Sequence, residues 1–289
     1  MNTIFLTGSS GFFGTNIQQA LHGRYHIIPS HSNTLDITDA DAVSKAIREA
    51  NPTYVIHASA IASSQYCNDH PDECHRINVV GTEHVARACG ETGCKLIFLS
   101  TEQVFNGNTS NGPYDEEQTP EPAGEYGKSK LLAEQVVAGL CRDHVILRLT
   151  WLFDYPKPHY SKGLNNILIN TIESMKREKP FRVPANEFRG MTWIKDLVGL
   201  FPKLLQLEPG VYHTGSENPL DRHDTVRFIM EELGANDTAL QLLVKDTTTY
   251  GSRARDIRLD TSKLRQFGIV FPSTEEALHT AIKEWRTTR

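Results

Sequence analysis

A tyrosine and a lysine four positions apart are the residues of this chain best suited to chemistry. Tyr126 and Lys130 lie one turn apart on one helix face if their segment is helical, as the spacing of the apolar residues that follow suggests. A free tyrosine titrates near pKa ~10, so it exchanges protons poorly at neutral pH unless a nearby cation stabilises its phenolate. Lys130 can supply that charge. An ordinary surface helix fits the pair as well, so the surrounding elements must decide.

The composition limits the class of protein. A chain of 289 residues can bury one large core, or one α/β core with a smaller lobe. The net charge of −5, with Lys and Arg dispersed, lacks the electrostatic pattern of a protein that binds nucleic acid or an anionic membrane. No apolar stretch has the length of a membrane span, and the N-terminus shows no signal-peptide pattern. We therefore expect a cytoplasmic protein.

The cysteine pattern favours reduced thiols over a metal site. The five cysteines are odd in number, and no two of them form a Cys-x-x-Cys pair. Cys74 and His75 are adjacent, and adjacent side chains chelate one metal poorly. We expect no bound metal, and free thiols in a reducing compartment.

A glycine-rich turn follows the first predicted strand, which covers residues 3–7. Three glycines at three-residue steps separate it from a segment compatible with a helix. Such a turn lets the backbone pass close to a pyrophosphate, and the helix N-terminus offers it amide donors and a partial positive charge. The sequence therefore predicts a dinucleotide site, formed by Gly8, Gly11, Phe12, Phe13 and Gly14.

The end of the second predicted strand bears on the choice of cofactor. A carboxylate at this position binds the ribose hydroxyls of NAD and repels the extra phosphate of NADP. The strand instead ends in Ser30, His31 and Ser32. These residues could donate hydrogen bonds to a phosphate, or they could form a plain polar turn. The pattern leans to NADPH and leaves NADH open.

Strands and helices alternate through the first half of the chain, which indicates a parallel sheet covered on both faces. A third strand ends in the small residues Ala58, Ser59 and Ala60, a long helix is expected over residues 70–93, and a fourth strand ends at Thr101. We predict a Rossmann-type doubly wound α/β fold with a smaller mixed α/β lobe. Residues 1–160 would bind NAD(P), with the chain returning from about 190–215, and residues 161–289 would form mainly the substrate lobe.

Taken together, these motifs resemble the extended short-chain dehydrogenase/reductases. Residues 8–14 match the Gly-x-x-Gly-x-x-Gly turn of that family, and Asp36 with Ile37 resembles its adenine-side pair of an aspartate and an apolar residue. Several motifs in the right order are more specific than any single one. The remaining matches are the strand end Ala58, Ser59 and Ala60, the helix asparagine Asn78, and the catalytic residues Thr101, Tyr126 and Lys130.

Within that family the chain most resembles the dTDP-4-dehydrorhamnose reductases. Residues 100–107 are similar to their Ser-Thr-Asp-Tyr-Val-Phe-x-Gly, residues 148–151 to their Arg-Thr-Ser-Trp, and residues 259–264 read Leu-Asp-Thr-Ser-Lys-Leu as theirs do. Residues 189–192 are less similar, and Ala254 stands where they carry a proline. These departures fall on the expected sugar side and leave the substrate open.

The resemblance implies hydride transfer from the nicotinamide to a carbonyl carbon. Tyr126 would protonate the alkoxide, Lys130 would lower the pKa of the phenol and hold the nicotinamide ribose, and Thr101 would polarise the carbonyl. It also implies a nucleotide-sugar substrate and, as in many family members, a homodimer. The substrate-side candidates are Glu102, Gln103, Trp151, and the arginines Arg189 and Arg253, which could clamp a diphosphate.

Three other functions compete with reduction. The related dehydratases carry Asp-Glu after the catalytic threonine, whereas this chain has Glu102 and Gln103, and a glutamine cannot take the proton. Dehydration is therefore disfavoured. Epimerisation with tightly held NAD stays open, because it can use the same Thr, Tyr and Lys. A non-catalytic role is also open, because the regulatory beta subunit of methionine adenosyltransferase resembles the same reductases.

Overall fold

The computed structural model describes residues 1–158, 160 and 164–288, which fall into two compact units. The first unit contains Met1–Thr109, Glu116–Leu149 and Val198–His213. The second contains Ser110–Asp115, Thr150–Leu197 and Thr214–Arg289. Among the described residues, no helix has both the length and the apolar character that crossing a membrane requires. The assignment of cofactor binding and substrate binding to separate domains stays a prediction.

The regular elements alternate most strictly in the first half of the chain. The strands are β1 (Thr3–Thr7), β2 (His26–Pro29), β3 (Tyr54–His57), β4 (Lys95–Thr101), β5 (His144–Leu149), β6 (Trp151–Phe153), β7 (Phe181–Pro184), β8 (Glu187–Phe188), β9 (Met191–Trp193), β10 (Gly210–Thr214), β11 (Leu243–Asp246) and β12 (Arg255–Asp256). The helices are α1 (Phe12–Leu21), α2 (Ala40–Ala50), α3 (Ser64–Asp69), α4 (Pro71–His75), α5 (Gly81–Thr92), α6 (Glu125–Leu140), α7 (Ile167–Lys176), α8 (Ile194–Leu204), α9 (Arg222–Glu232), α10 (Asp237–Leu240), α11 (Ser262–Gln266) and α12 (Thr274–Thr287).

The first unit is built on one sheet, with the strand order β10-β5-β4-β3-β1-β2 over the described residues. The pairs β2–β1, β1–β3, β3–β4 and β4–β5 are all parallel. The chain runs outward from β1 to β2 and then returns to the other side of β1 at β3. This reversal is the switch point of a doubly wound sheet, at whose carboxyl edge ligands bind. The Rossmann-type prediction is confirmed.

The sheet brings the carboxyl ends of separate strands together. In the register of the central strands, Thr7 at the end of β1 lies opposite His57 at the end of β3, and Thr101 at the end of β4 lies opposite Leu149. All four residues of β3 are buried, as expected of a central parallel strand covered on both faces. The sequence motifs at these strand ends therefore lie along one edge.

The predicted helix over residues 70–93 is helical but not a continuous α-helix. A five-residue π-helical turn, Arg76–Val80, joins α4 to α5. Such a turn inserts an extra residue and changes the direction of the side chains that follow. The helix ends at Gly93, whose positive φ of 73° suits glycine.

The second unit is held by short strand pairs and longer helices. Its parallel pairs are β6 with β9, β7 with β11, and β8 with β12. Helix α7 begins at Ile167, because Asn166 caps it by accepting a hydrogen bond from the Ile169 amide. The last helix, α12, starts with a reciprocal capping box between Ser273 and Glu276.

Candidate active site

Helix α6 presents the tyrosine and the lysine, and β4 presents the threonine. Tyr126 and Lys130 lie one turn apart near the start of α6, which Gly124 precedes in extended conformation. Thr101 is the last residue of β4, and its hydroxyl accepts a hydrogen bond from the Gln103 amide at 3.2 Å. The threonine side chain is close enough to Tyr126 to lower the pKa of its phenol. The structure therefore brings the threonine and the tyrosine into one site.

The protonation of this pair differs from the expectation that Lys130 lowers the pKa of the tyrosine. Burial raises the pKa of Tyr126 to about 12, and the hydrogen bond from Thr101 only partly opposes that rise. Burial likewise lowers the pKa of Lys130 to about 7, opposed by the negative charge of Glu134. The physical reason is the same for both groups, because burial disfavours whichever form carries charge. Tyr126 is thus a protonated phenol at neutral pH.

Lys130 is held in a cage of aromatic and charged groups. It is 2% exposed, and its Nζ lies 3.9 Å from the centroid of the Phe98 ring. Glu134, one turn further along α6, pairs with Arg148 at 2.7 Å and also accepts a hydrogen bond from the Ser100 hydroxyl. Helix α6 is thereby fixed to β4 and β5 directly behind the candidate catalytic residues.

A cavity of about 480 Å³ lies at the carboxyl edge beside β1, β2 and β3. Ser10 and Arg76 line it too, although the sequence analysis did not single them out. Arg76 follows β2 by more than forty residues, so no local pattern links it to this site. The predicted cofactor residues that line the cavity are Gly8, Gly11, His31, Ser32, Asp36, Ile37, Ala58, Ser59 and Ala60.

The glycine-rich turn has the shape that a dinucleotide requires. A Cβ on Gly14 would lie 2.2 Å from the Gly8 carbonyl oxygen, and Gly8 has a positive φ of 70°. Only glycine lets these backbones approach so closely. The Phe13 side chain packs against Phe201, with ring centroids 5.4 Å apart, so its ring belongs to the core. Phe12 opens α1 and is half-buried.

Asn78, predicted to serve the cofactor, ties the cavity to α6. Its Oδ1 accepts a hydrogen bond from the Ile61 amide at 2.8 Å, and its Nδ2 donates to the Ile61 carbonyl at 3.0 Å and to Ser129 Oγ at 3.1 Å. Ile61 lines the cavity, and Ser129 donates to the Tyr126 carbonyl at 2.9 Å. Asn78 therefore links the cavity to α6.

His57 is a site residue that the sequence analysis missed. It is fully buried, and its ring nitrogens bond Thr7 Oγ1 at 2.7 Å and Thr82 Oγ1 at 3.0 Å. Thr7 Oγ1 in turn accepts hydrogen bonds from the amides of Ala58 and Ser59, both of which line the cavity. Burial, and then the charge of Lys130, lower the pKa of His57 to about 3, so the ring is neutral.

Two of the predicted substrate residues meet in the second unit. The Arg189 guanidinium lies 4.6 Å from the centroid of the Trp151 ring, and that of Arg222 lies 5.4 Å from it. Glu187, 2% exposed, forms ion pairs with Arg189 at 3.9 Å, with Arg222 at 2.9 Å and with Arg255. Burial would raise the pKa of Glu187, but the charges of these arginines lower it.

The other substrate candidates are Arg253, Glu102 and Gln103. Arg253 is exposed and lies two residues before β12. Glu102 and Gln103 are buried in a short 3₁₀ turn, Glu102–Phe105, directly after Thr101. Sequence reasoning did not identify Glu187, Arg222 or Arg255, because charged residues dispersed along a chain give no signal of a shared partner.

Comparison with known proteins identifies the family. A family model described as the RmlD substrate binding domain matches residues 1–287. The dTDP-4-dehydrorhamnose reductase of Shigella flexneri is 26% identical, over 99% of this chain and 98% of its own length. The spore coat polysaccharide biosynthesis protein SpsK of Bacillus subtilis is 25% identical, over 98% of each chain.

Solved structures of related proteins agree with this family assignment. The dTDP-4-dehydrorhamnose reductase of Bacillus anthracis, crystallised in complex with NADP, superposes with a TM-score of 0.85 at 27% identity, covering 98% of both chains. A UDP-glucose 4-epimerase of Thermotoga maritima reaches 0.83 at 21% identity and covers 99% of both chains, a likeness that shows the fold alone. The resemblance inferred from the sequence motifs is confirmed.

Proposed function

The chain belongs to the RmlD substrate-binding-domain family, and from that membership we propose that it reduces a nucleotide-linked 4-keto-6-deoxy sugar with NADPH. The observation that carries the proposal is the placement of Thr101 at the end of β4 and of Tyr126 and Lys130 one turn apart on α6, with the threonine side chain acting on the pKa of the phenol. The curated relatives named dTDP-4-dehydrorhamnose reductase support the class of substrate.

Tyr126 carries the proton that a general acid must supply, because a phenol with a pKa of about 12 is protonated at neutral pH. The raised pKa also makes the phenol a weaker acid, so proton transfer depends on a charge that stabilises the phenolate. When bound, the cofactor supplies a hydride to the carbonyl carbon of the sugar. Tyr126 gives its proton to the oxygen that becomes negative, Thr101 holds that oxygen by a hydrogen bond, and the Lys130 ammonium stabilises the phenolate left behind.

The cavity of the first unit fits a phosphorylated adenosine better than a plain one. His31, Ser32 and Arg76 line it, and all three can donate hydrogen bonds to a phosphate. Asp36 also lines it, and hydrogen bonds from the backbone amide and the hydroxyl of Thr38 lower its pKa, so this carboxylate stays charged and does not itself attract a phosphate. The three donors are the contacts that favour NADPH over NADH.

The substrate residues remain part of the proposal. Trp151 with Arg189 offers an aromatic face and a guanidinium in one place, a pairing suited to a nucleotide diphosphate. Glu187 already forms an ion pair with this guanidinium, so Arg189 would bind the diphosphate while it stays paired with the carboxylate. Arg253, Glu102 and Gln103 stay candidates, and a homodimer in the cytoplasm stays the expected form.

The test is a coupled assay with purified protein, NADPH or NADH, and dTDP-4-keto-6-deoxyglucose with the 3,5-epimerase that feeds such reductases. We expect loss of reduced-nicotinamide absorbance only with the sugar present, and faster with NADPH. Tyr126→Phe should lower kcat by about 10²- to 10⁴-fold while NADPH binding is retained. Tyr25→Phe makes the same chemical change outside the site, and it should leave both kcat and NADPH binding unchanged.

The opposite result is equally clear. Tight NADPH binding without sugar-dependent oxidation would reject this substrate class and favour the epimerase or the partner-binding role. Those two are separated by incubating the protein with NAD and a nucleotide sugar, because only an epimerase would change the stereochemistry of the sugar. If Tyr126→Phe turned over at the wild-type rate, the tyrosine would not be the proton donor.

A further inference from the structure

Two cysteines of the first unit lie close enough to react with each other. Cys67 in α3 and Cys74 in α4 are 0% and 1% exposed, and their Sγ atoms are 2.7 Å apart. A disulfide bond is about 2.05 Å long, so the sulfurs need to move by only a fraction of an ångström. The chain between them has only six residues, so little backbone has to reorganise.

The two thiols also contact both halves of the site. Cys67 Sγ donates to the Ile61 carbonyl at 3.5 Å, and Ile61 lines the cofactor cavity. Cys74 Sγ donates to Ser129 Oγ at 3.4 Å, and Ser129 lies on α6 between the catalytic tyrosine and lysine. Asn78 Nδ2 donates to Cys74 Sγ at 3.3 Å and holds the same Ile61 carbonyl. Any change at the sulfurs reaches the cofactor side and α6 through single hydrogen bonds.

We propose that Cys67 and Cys74 form a reversible disulfide by exchange with a low-molecular-weight disulfide such as oxidised glutathione, and that its formation weakens the cofactor site. One thiolate attacks the oxidant, forms a mixed disulfide and releases one thiol. The second thiolate then attacks the protein sulfur of that mixed disulfide and releases the other thiol. The two cysteines lose two electrons and two protons, and the oxidant is reduced to two thiols.

Local opening gives the oxidant access to this pair. Residues 62–66 and 68–72, which flank Cys67 in the sequence, are all exposed. Most of them lie in α3 and α4, which have six and five residues. Short helices of this kind open locally far below the cost of global unfolding. Burial, with the contact from Cys74, raises the pKa of Cys67 to about 12, so exchange follows opening. The other three cysteines belong to the hydrophobic core around α5 and β4.

Oxidation removes both thiol hydrogens. The bond that Cys67 donates to Ile61 is lost, and so is the single hydrogen of Cys74, which faces Cys67 Sγ at 2.7 Å and Ser129 Oγ at 3.4 Å. The Ile61 carbonyl keeps only the amide of Asn78 among these donors. A neutral hydrogen bond of this kind is worth about two- to tenfold in an equilibrium constant. We therefore expect NADPH affinity to fall by about two- to tenfold in the oxidised protein, an effect that rests on the proposed function.

The experiment treats native protein with excess oxidised glutathione, blocks free thiols by alkylation in acid, and maps the peptides by mass spectrometry. NADPH affinity is measured by fluorescence before oxidation, after it, and after reduction. The expected result is a link between Cys67 and Cys74, weaker NADPH binding, and recovery of both by reduction. Oxidant should leave the NADPH affinity of Cys67→Ser unchanged. Cys141→Ser replaces another buried cysteine, so this variant should form the Cys67–Cys74 link and lose NADPH affinity as the wild type does.

Three outcomes overturn the proposal. The first is that Cys67 and Cys74 stay as free thiols in native protein treated with the oxidant, while urea-unfolded protein forms disulfides under the same conditions. The second is oxidation confined to Cys89 and Cys94. The third is a mapped link that leaves NADPH affinity unchanged. Failure of the proposed function is distinguishable, because the reduced protein would then show no sugar-dependent oxidation of NADPH, while the Cys67–Cys74 link and its effect on NADPH binding could still be measured.

Discussion

Replacing Glu134 by glutamine removes the negative charge from a buried ion pair behind the proposed catalytic residues. Both partners are nearly inaccessible, with Glu134 4% and Arg148 5% exposed. Arg148 donates to the carboxylate through Nε at 3.0 Å and Nη2 at 2.7 Å, a two-point contact that glutamine cannot reproduce as an anion. The guanidinium would be left facing His213 Nε2 at 3.3 Å and the ring of Phe105 at 5.2 Å.

The expected cost is large because the surviving charge stays buried. Removing one partner of a buried pair typically costs about 3–5 kcal/mol, against a total stability of about 5–15 kcal/mol. Glutamine has almost the volume of glutamate, so no cavity contributes to the loss. The double variant Glu134→Gln with Arg148→Met removes the unpaired charge too. It should regain much of the lost stability.

Urea unfolding followed by far-ultraviolet circular dichroism measures the effect. Fluorescence is unsuitable, because the three tryptophans, Trp151, Trp193 and Trp285, all lie in the second unit. Glu125→Gln is the matched control, since Glu125 pairs with Lys128 at 2.8 Å but both side chains are more than 40% exposed. It should change the free energy of unfolding by at most about 1 kcal/mol. A loss below about 1 kcal/mol in Glu134→Gln, or no gain in the double variant, would refute the reasoning.

The same variant also tests the electrostatics of Lys130. Burial lowers the pKa of Lys130 to about 7, and the Glu134 charge is the first of the effects that oppose it. Without that charge the pKa falls further, so the ammonium that stabilises the phenolate is lost at a lower pH. We expect the alkaline limb of the kcat profile to move to lower pH. An unchanged profile would show that Glu134 supports the fold without tuning the lysine.

Two more predictions concern the cofactor turn and the buried histidine. Gly14→Ala would place a Cβ 2.2 Å from the Gly8 carbonyl oxygen, so NADPH affinity measured by fluorescence titration should fall by at least about tenfold, whereas Gly139→Ala, with no atom within 4 Å of its added Cβ, should bind normally. His57 has a pKa of about 3 when folded, against an ordinary value of 6.5, so the unfolded chain binds more protons between those pH values. The free energy of unfolding should therefore fall as the pH drops from about 6.5 toward 3, with a shallower fall for His57→Gln in pH-dependent urea titrations.

The first unit was more predictable from sequence than the second for a physical reason. Its strands are four to seven residues long and alternate with helices, so hydrophobic period and turn residues give a strong local signal. In the second unit, β8 and β12 have two residues each and pair with each other across more than sixty positions. Such a strand is set by tertiary pairing, and no window of sequence contains enough of it to be recognised.

The site shows the same division between residue identity and residue environment. The positions of Thr101, Tyr126 and Lys130 follow from motif spacing, and in the structure the threonine side chain acts on the pKa of the phenol. Their protonation does not follow from spacing, because it sums the burial of each group with charges that arrive from distant segments. A neighbouring cation was expected to dominate the phenol. Burial is the larger effect, and it raises the pKa.

Asn78 illustrates why local pattern could not give the whole site. On a regular α-helix over residues 70–93, an asparagine at this position has no evident structural role. The π-helical turn Arg76–Val80 adds a residue to the helix and directs Asn78 inward, where it is fully buried. There it satisfies both backbone groups of Ile61 and reaches Ser129. An inserted residue of this kind leaves no mark in hydrophobic period, yet it sets the contact between the cofactor side and α6.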